Sequence, residues 1–411
     1  MVNEHELIYA LSDALDLVGV DDSDHGKRVA YMALECAEAL NLRENDKVQL
    51  FHAALLHDCG VSSTKIHNLL VYTLDWDGAE DHCIRGYQLL NLSPTLSHLS
   101  QIILYHHTYW SDLKKLNIDF LTSSLANLIF LVDRVDALMA QHRKERPNES
   151  VLHIAETVKK EIQELANDFF SPELVDAFLE TSSREVFWFT LQQESLHNYL
   201  NQYIASLQSE TLDLSSMRNI AELFAYFVDA KSPYTADHSL DVAMLAKFIS
   251  QKMGLPAETT SKIEIAGLLH DVGKLKVPDE ILDKPGPLDD DEFDVIKIHA
   301  YETHEILSRV KGLEDITDWA SNHHEKINGQ GYPYHNKAEQ LAIPARIITI
   351  ADIFQALAQK RPYRNYMKPI DILDILKSKA EQGEIDKDIV AVVENNLQNC
   401  WEISIKNSRK I

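Results

Sequence analysis

The sequence predicts an all-α protein built from two copies of one helical domain. Apolar residues recur at helical spacing, alternating strand patterns are scarce, and a set of short motifs occurs twice in the same order. The chain has 411 residues, a length that favours two or three domains with full hydrophobic cores. We expect residues 1–145 to form a first domain, 146–215 a helical linker and 216–411 a second domain.

Helical periodicity is clearest in the second half of the chain. The apolar stripes that predict helices there are Ile220, Phe224 and Phe227; Leu240, Met244 and Phe248; and Ile347, Ile350, Phe354 and Leu357. Gly254 and Pro256 are expected to end the second of these helices, and Pro344 suits the first turn of the third.

The segment 146–215 is charged and helical in pattern, without Gly- or Pro-rich breaks. We expect its helices to pack on both domains and so to form a rigid linker. Its aromatic cluster VFWF, at 186–189, is predicted to form an interdomain or dimer core.

Composition restricts the classes of partner. The chain has 64 acidic and 39 basic residues, a net charge of −25, which argues against binding polymeric nucleic acid or an anionic membrane surface. The four cysteines form no CxxC pair, so a reducing compartment is expected. The N-terminus lacks a signal-peptide pattern and no apolar run approaches the ~18 residues of a membrane span. We therefore expect a cytoplasmic protein.

An internal repeat relates the two halves of the chain. The matching segments are 22–33 with 235–246, 55–60 with 268–273, 102–107 with 318–324, and 126–138 with 345–357. His25 and His57 are 32 residues apart, as are His238 and His270, and the spacing of 24 residues between His82 and His106 also recurs in the second copy. The pattern indicates that one helical domain has been duplicated.

Histidines and aspartates recur within this repeat. In the second copy they are His238, His270, Asp271, His299, His323, His324 and Asp352. Each could be an independent core or surface residue, but recurrence of the same residue types at matched spacing favours a shared site. Imidazole mixed with carboxylate suits iron, manganese, zinc or nickel. Seven ligands exceed the needs of one tetrahedral ion, and a carboxylate that bridges two ions is typical of phosphoester hydrolysis.

The second copy resembles the HD-GYP family of cyclic-dinucleotide phosphodiesterases, within the HD-domain metal phosphohydrolases. The resemblance spans roughly residues 230–365 and includes LLHDVGKLKVPDEILDKPGPL, the histidine before YETHEIL, HHEKINGQGYP and ADIFQALAQKRPYR. It implies hydrolysis of cyclic di-GMP, or of 3',3'-cyclic GMP-AMP, to linear or mononucleotide products. It also implies two divalent metal ions, iron or manganese first, with nickel, zinc or magnesium as alternatives.

The resemblance assigns roles to individual residues. One ion would be held by His238, His270, Asp271 and Asp352, and the other by Asp271, His299, His323 and His324, with Asp271 as the catalytic bridge. Lys274 would stabilise charge on the scissile phosphate. The substrate would contact Gly331, Tyr332, Pro333, Arg361 and Arg364.

Three positions depart from the family pattern. Asn328 stands where an aspartate is usual before the first glycine of the loop, and Gln355 where an aspartate usually follows Asp352 by three residues. Tyr234 replaces the glutamate of three-metal members, so two metals are expected rather than three. These departures leave reduced activity open.

The first copy is interpreted as a degenerate HD domain. It keeps a full set of candidate ligands, namely His25, His57, Asp58, His82, His106, His107 and Asp133. Val61 replaces the lysine, however, and HHTYWSD replaces the glycine-rich loop. Metal binding at this second site is left open, and its role could be sensory, regulatory or structural.

Three functional hypotheses follow. The first is a binuclear metal phosphodiesterase acting on a cyclic dinucleotide in bacterial second-messenger signalling. The alternatives are a non-hydrolysing cyclic-dinucleotide receptor or scaffold, and an HD phosphohydrolase acting on another nucleotide. A homodimer and signalling partners of the diguanylate-cyclase type are left open.

Overall fold

The computed structural model describes residues 2–17, 24–61, 78–208, 211–231, 238–359 and 366–405. Over these ranges the prediction of an all-α fold is confirmed. The strands found there are β1 (Val2–Asn3) and β2 (Thr211–Leu212), which pair antiparallel with Val2 opposite Leu212. Among the described residues no helix is both long and apolar enough to cross a membrane.

The chain divides into two compact units, His5–Glu210 and Thr211–Ile411 together with Met1–Glu4. We call them the N-terminal and C-terminal units. The helices up to residue 206 are α1 (Glu4–Asp16), α2 (His25–Ala39), α3 (Glu44–Leu55), α4 (Ala79–Leu90), a 3-10 turn (Ser97–Leu99), α5 (Ser100–Tyr105), α6 (Trp110–Leu113), α7 (Phe120–Glu145), α8 (Val151–Glu164), α9 (Pro172–Thr181), α10 (Glu185–Thr190) and α11 (Gln193–Ser206).

The C-terminal unit continues the helical architecture. Its helices are α12 (Leu214–Asp229), α13 (His238–Lys252), α14 (Ala257–Leu269), a 3-10 helix (Val272–Lys276), α15 (Asp279–Leu282), α16 (Asp290–Leu307), α17 (Glu314–Ser321), α18 (Ile343–Ala358), α19 (Pro369–Glu381), α20 (Lys387–Asn395) and α21 (Leu397–Ser404). Helix α13 ends two residues before Gly254, whose φ of 76° is left-handed, and Pro344 lies in the first turn of α18.

The segment expected to form a linker packs mainly inside the N-terminal unit. Helices α9 and α11 contact α2, and α8 contacts the long helix α7. In the aromatic cluster at 186–189, Phe187 and Trp188 are buried, and the Phe187 ring lies 5.6 Å from that of Tyr31. These two side chains are therefore core residues of the N-terminal unit itself, whereas Val186 and Phe189 are exposed.

Close helix packing brings the second-copy motifs together in the C-terminal unit. Helices α13 and α14 make the most extensive of the helix contacts, and a Cβ on Gly267 would lie 2.9 Å from the Cα of Ala243. The absence of a side chain at this glycine lets the two backbones approach. As a result, His238 at the start of α13 and His270 just after α14 point into one interior space, with their rings 5.4 Å apart.

Candidate metal centre

Asp271 lies at the centre of the C-terminal site. Its Oδ2 is 3.5 Å from Nε2 of His238 and 3.3 Å from Nε2 of His270, and its Oδ1 is 3.6 Å from Nε2 of His299 and 3.7 Å from Nε2 of His323. All five side chains are buried. The two oxygens of one carboxylate therefore face two different groups of imidazoles.

The other two predicted residues complete these groups. The ligand atoms of His238, His270 and Asp352 lie within 4.8 Å of one another, and so do those of His299, His323 and His324. Nε2 of His238 is 3.4 Å from Oδ1 of Asp352. The structure thus brings together all seven residues that the sequence singled out in the second copy.

The backbone fixes the orientation of three imidazoles. Their Nδ1–H groups donate to carbonyl oxygens three residues earlier: His270 to Gly267 at 2.8 Å, His299 to Ile296 at 2.5 Å and His323 to Ala320 at 2.6 Å. A carbonyl only accepts, so each neutral ring presents the lone pair of Nε2 to the interior. Nε2 of His299 lies 3.2 Å from Nε2 of His323, a contact between two lone pairs that a cation would stabilise.

The donor set fits divalent metal ions. Ligand distances of about 2.0–2.2 Å place neighbouring donor atoms about 3.0–3.5 Å apart, close to the separations around Asp271. Nε2 of His270 and Oδ1 of Asp271 are buried and, among the described residues, have no hydrogen-bond partner. Buried polar atoms are normally satisfied, so these two atoms point to a bound ion.

The protonation states favour metal binding near neutral pH. Burial lowers the pKa of His299 to about 3 and that of His324 to about 4, so both rings are neutral and can donate a lone pair. Burial opposes charge on His238, but Asp271 and Asp352 outweigh it and raise its pKa to about 10. A metal ion would displace the proton that His238 holds between those carboxylates.

Gln355 supports His238 from behind. Its Oε1 accepts a hydrogen bond from Nδ1 of His238 at 2.5 Å. An aspartate is expected at this position, and the amide keeps the acceptor while removing its charge. The departure seen in the sequence therefore preserves the orientation of His238.

Lys274 is the cation at the centre. It lies in the 3-10 helix that follows the HD motif, and its Nζ donates to Oδ2 of Asp271. Its ammonium group therefore offsets charge on the carboxylate that faces both groups of imidazoles. Beside it, a Cβ on Gly273 would lie 2.1 Å from the carbonyl oxygen of His299, so only glycine fits there.

The loop after His324 is tightly folded. Gly329 has a left-handed φ of 77°, and a Cβ on Gly331 would lie 2.3 Å from the backbone nitrogen of Lys326. Asn328 Oδ1 accepts from the backbone N–H of Gln330 at 3.0 Å. An aspartate would accept the same bond, so the second departure also keeps its structural contact.

Glu325 anchors the far side of this loop. Its carboxylate accepts backbone N–H groups from Tyr334 at 2.6 Å and Asn336 at 3.1 Å. The Tyr332 ring then lies 4.8 Å from that of His324, and the bond from Tyr332 to Pro333 is cis. The loop therefore forms a fixed wall beside the imidazoles.

A cavity of about 660 Å³ opens from His323 and His324. Besides the loop, it is lined by an apolar and aromatic face of α16 that includes Phe293, Ile298 and Tyr301, each more than 40% exposed. Sequence reasoning missed this face. The sequence shows apolar residues recurring along this strongly charged helix. That pattern alone does not distinguish the wall of a pocket from a stripe of core residues.

Three predicted features lie outside the described residues. These are the candidate substrate-binding residues Arg361 and Arg364, and Tyr234. Their roles stay as the resemblance implies them.

The N-terminal ligands also converge. The ligand atoms of His25, His57 and Asp58 lie within 4.8 Å of one another. Nε2 of His82 is 3.2 Å from that of His106, and Nε2 of His107 is 3.6 Å from Oδ2 of Asp133.

Comparison with known proteins places the chain among relatives named as phosphodiesterases. The HD domain family matches residues 23–166 and again 202–389. The chain is 36% identical to 3'3'-cGAMP-specific phosphodiesterase 1 of Vibrio cholerae, over 99% of this chain and 95% of the relative. It is 30% identical to a cyclic di-GMP phosphodiesterase of Thermotoga maritima, over 53% of this chain and 61% of the relative.

The fold is also found in a solved structure. A crystal structure of a cyclic GMP-AMP specific phosphodiesterase of V. cholerae, V-cGAP3, superposes with a TM-score of 0.63 at 24% identity, covering 97% of this chain and 98% of that one. The chain belongs to the HD-GYP family and carries two HD domains in tandem.

Proposed function

We propose that the C-terminal unit is a binuclear metal phosphodiesterase that opens a cyclic dinucleotide. The observation that carries the proposal is the position of Asp271, whose two carboxylate oxygens face two separate groups of imidazoles beside a cavity of about 660 Å³. In this arrangement His238, His270 and Asp352 would hold one ion, and His299, His323 and His324 the other.

The chain's own residues would organise the reaction around these ions. Divalent ions bound there would activate water for attack and offset charge on the phosphodiester. Asp271 would keep the two ions at a fixed separation, and Lys274 would add positive charge where the phosphate accumulates negative charge. Tyr332 and the folded loop would position the substrate against His324.

The cavity suits a molecule with flat bases and phosphates. Its volume lies within the ~300–1,000 Å³ common for small-molecule sites. Phe293 and Tyr301 offer exposed aromatic surfaces for base stacking, and Lys297, Lys326 and Lys379 bring cations to the rim of a strongly acidic protein. Lys326 and Lys379 both pair with Glu384. Lys297 pairs with Asp294 at 2.7 Å, and its Nζ also lies 4.8 Å from the centre of the Phe293 ring.

The relatives indicate which substrate to expect. The relative that matches nearly the whole chain is named as specific for 3'3'-cGAMP, whereas the relatives named for cyclic di-GMP match shorter segments. We therefore place 3',3'-cyclic GMP-AMP first and cyclic di-GMP second.

A non-hydrolysing receptor is the competing function. Asn328 and Gln355 suggest it in the sequence, yet both side chains accept hydrogen bonds that suit their positions. The geometry therefore gives no support to a loss of activity.

One experiment separates these functions. Protein loaded with Mn²⁺ or Fe²⁺ is incubated with 3',3'-cyclic GMP-AMP and, separately, with cyclic di-GMP, and the products are resolved by chromatography. We expect linear dinucleotide or mononucleotides, formed fastest from 3',3'-cyclic GMP-AMP. Tight binding of both compounds by fully loaded protein without any product would establish a receptor instead.

Removing an aromatic surface from the cavity should weaken substrate binding. We expect Phe293→Ala to raise KM about 5- to 150-fold with little change in kcat, because base–aromatic stacking contributes about 1–3 kcal/mol. Steady-state kinetics give both constants. Ile370→Ala is the control, since Ile370 is an exposed apolar residue, 53% against 42% for Phe293, that is not among the residues lining the cavity, and its KM should be unchanged. Equal KM values for both variants would place the bases elsewhere.

A further inference from the structure

A buried threonine holds the short segment of backbone that carries Asp271. Thr303 lies on α16 and is fully buried, and its Oγ1 donates to the carbonyl oxygen of His270 at 3.0 Å. The same oxygen accepts the backbone N–H of Gly273 at 3.1 Å. One hydroxyl therefore uses its donor and an acceptor site on the two sides of Asp271.

These two hydrogen bonds lie where the chain changes from one helix type to another. Helix α14 ends at Leu269, and carbonyl oxygens at the end of a helix need partners from outside it. The 3-10 helix then begins at Val272, with the backbone N–H of Lys274 donating to the carbonyl oxygen of Asp271 at 2.8 Å. A shift of this turn would therefore move the Asp271 carboxylate and the Lys274 ammonium group together.

The far end of the 3-10 helix is held by a different side chain. Lys231, buried just after α12, donates from Nζ to the carbonyl oxygen of Leu275. This attachment does not involve α16. Loss of the Thr303 hydroxyl should consequently loosen the start of the segment, around Asp271, while the rest of it stays in place.

The first copy of the domain keeps the close backbone approach but lacks the hydroxyl. A Cβ on Gly60 would lie 1.9 Å from the carbonyl oxygen of His82, against 2.1 Å at the corresponding glycine of the second copy. At the position of Thr303, however, the first copy carries Gly86, and Val61 replaces the lysine. The copy that has the lysine is thus the copy that has the hydroxyl.

Thr303 acts at a distance from the substrate. It is not among the residues that line the cavity, so any effect on the reaction passes through the segment it holds. Asp271 lies within 3.3–3.7 Å of four imidazole nitrogens, an arrangement that leaves little room for displacement. A misplacement of about 1 Å in such a site can cost about 10²-fold in rate.

We propose that Thr303 is a positioning residue: its hydroxyl fixes the turn from His270 to Gly273, so that Asp271 faces both groups of imidazoles with Lys274 beside it. The expected effect on turnover rests on the proposed function. The expected effect on metal binding does not, because it depends only on where the Asp271 carboxylate lies.

The first test removes the hydroxyl and keeps the shape of the side chain. In the full-length protein, Thr303→Val exchanges Oγ1 for a methyl group. We expect kcat for the cyclic dinucleotide to fall about 10–100-fold with KM unchanged, because loss of such a supporting contact typically costs that much. A raised KM at unchanged kcat would overturn the proposal, since it would indicate a contact with the substrate.

Bound Co²⁺ provides a readout that needs no turnover. Its visible absorption depends on ligand geometry, and the bands that Asp271→Ala removes belong to the C-terminal centre. Thr303→Val should shift these bands and lower the corresponding Co²⁺ affinity about 10–100-fold. Bands and affinity identical to wild type would overturn the proposal. If wild type formed no product while the bands shifted as expected, the proposed function would fail and the role of Thr303 would stand.

Two further variants separate positioning from general stability. Thr303→Ser keeps the hydroxyl and should restore wild-type kcat and absorption. Thr260→Val is the matched control, because Thr260 is a buried threonine of α14 whose Oγ1 accepts from Ser250 at 3.3 Å, and both readouts should stay at wild-type values. A serine variant as impaired as the valine variant, or an equal loss in the control, would refute the role of the hydroxyl. If Thr303→Val lacks a native circular-dichroism spectrum, Thr303→Ala is judged by the same criteria.

Discussion

Replacement of Asp271 by alanine is expected to abolish hydrolysis and to lower metal content. Its two oxygens lie between the two groups of imidazoles, so no other side chain can replace both contacts. We expect turnover to fall more than about 10³-fold, equivalent to about 4 kcal/mol of transition-state stabilisation. Initial rates and metal analysis on one preparation measure both effects.

The duplicated domain supplies the control for this prediction. Asp58 stands at the same position of the first copy and likewise faces several imidazoles. Asp58→Ala should therefore leave turnover within about tenfold of wild type. If Asp271→Ala retained near-normal turnover with full metal loading, the assignment of a binuclear centre around this residue would be wrong.

Removal of the Lys274 ammonium group should reduce turnover without removing the metals. Lys274 donates to Asp271 through its ammonium group, which has donors and no acceptor, so it supplies positive charge rather than ligation. Loss of one such charge donor typically costs about 10²–10³ in rate, and we expect Lys274→Ala to show a loss of that size in kcat.

Lys276 provides a matched control within the same 3-10 helix. Its Nζ pairs with Glu302, and its side chain is nearly half exposed. Lys276→Ala should thus keep wild-type kinetics. A Lys274→Ala variant that is fully active, or that loses metal at saturating concentration, would contradict the role proposed for Lys274.

The all-α fold and the convergence of the candidate ligands could be predicted from the sequence because both depend on local patterns. Helical periodicity indicated the all-α architecture, and the repeat located seven candidate ligands in each half of the chain. Each candidate ligand follows or lies on a helix whose packing fixes its direction, so short motifs determine most of the geometry. The histidines of the LLHD and HH segments can therefore be grouped into one site from their spacing along the chain.

Other features depend on contacts between distant segments. The cavity wall formed by Phe293 and Tyr301 is recognisable only once these rings are seen to be exposed beside His324. Compared with the family pattern, Gln355 suggests a loss of function. The sequence alone cannot show that its amide oxygen accepts a hydrogen bond from His238. Residues 166–170 fall in the segment expected to form a linker, yet Phe169 closes the side of the N-terminal site at Tyr109.

That closure by Phe169 bears on the choice of chemical probes. A flat aromatic compound could bind beside Phe293 and Tyr332 in the C-terminal unit. In the N-terminal unit the corresponding space beside His107 is already filled by Phe130, Tyr109 and Phe169. A metal-chelating group alone would not distinguish the two units, because imidazoles and carboxylates lie together in both. Inhibitors selective for the C-terminal unit should consequently gain their discrimination from the ring system and not from the metal-binding group.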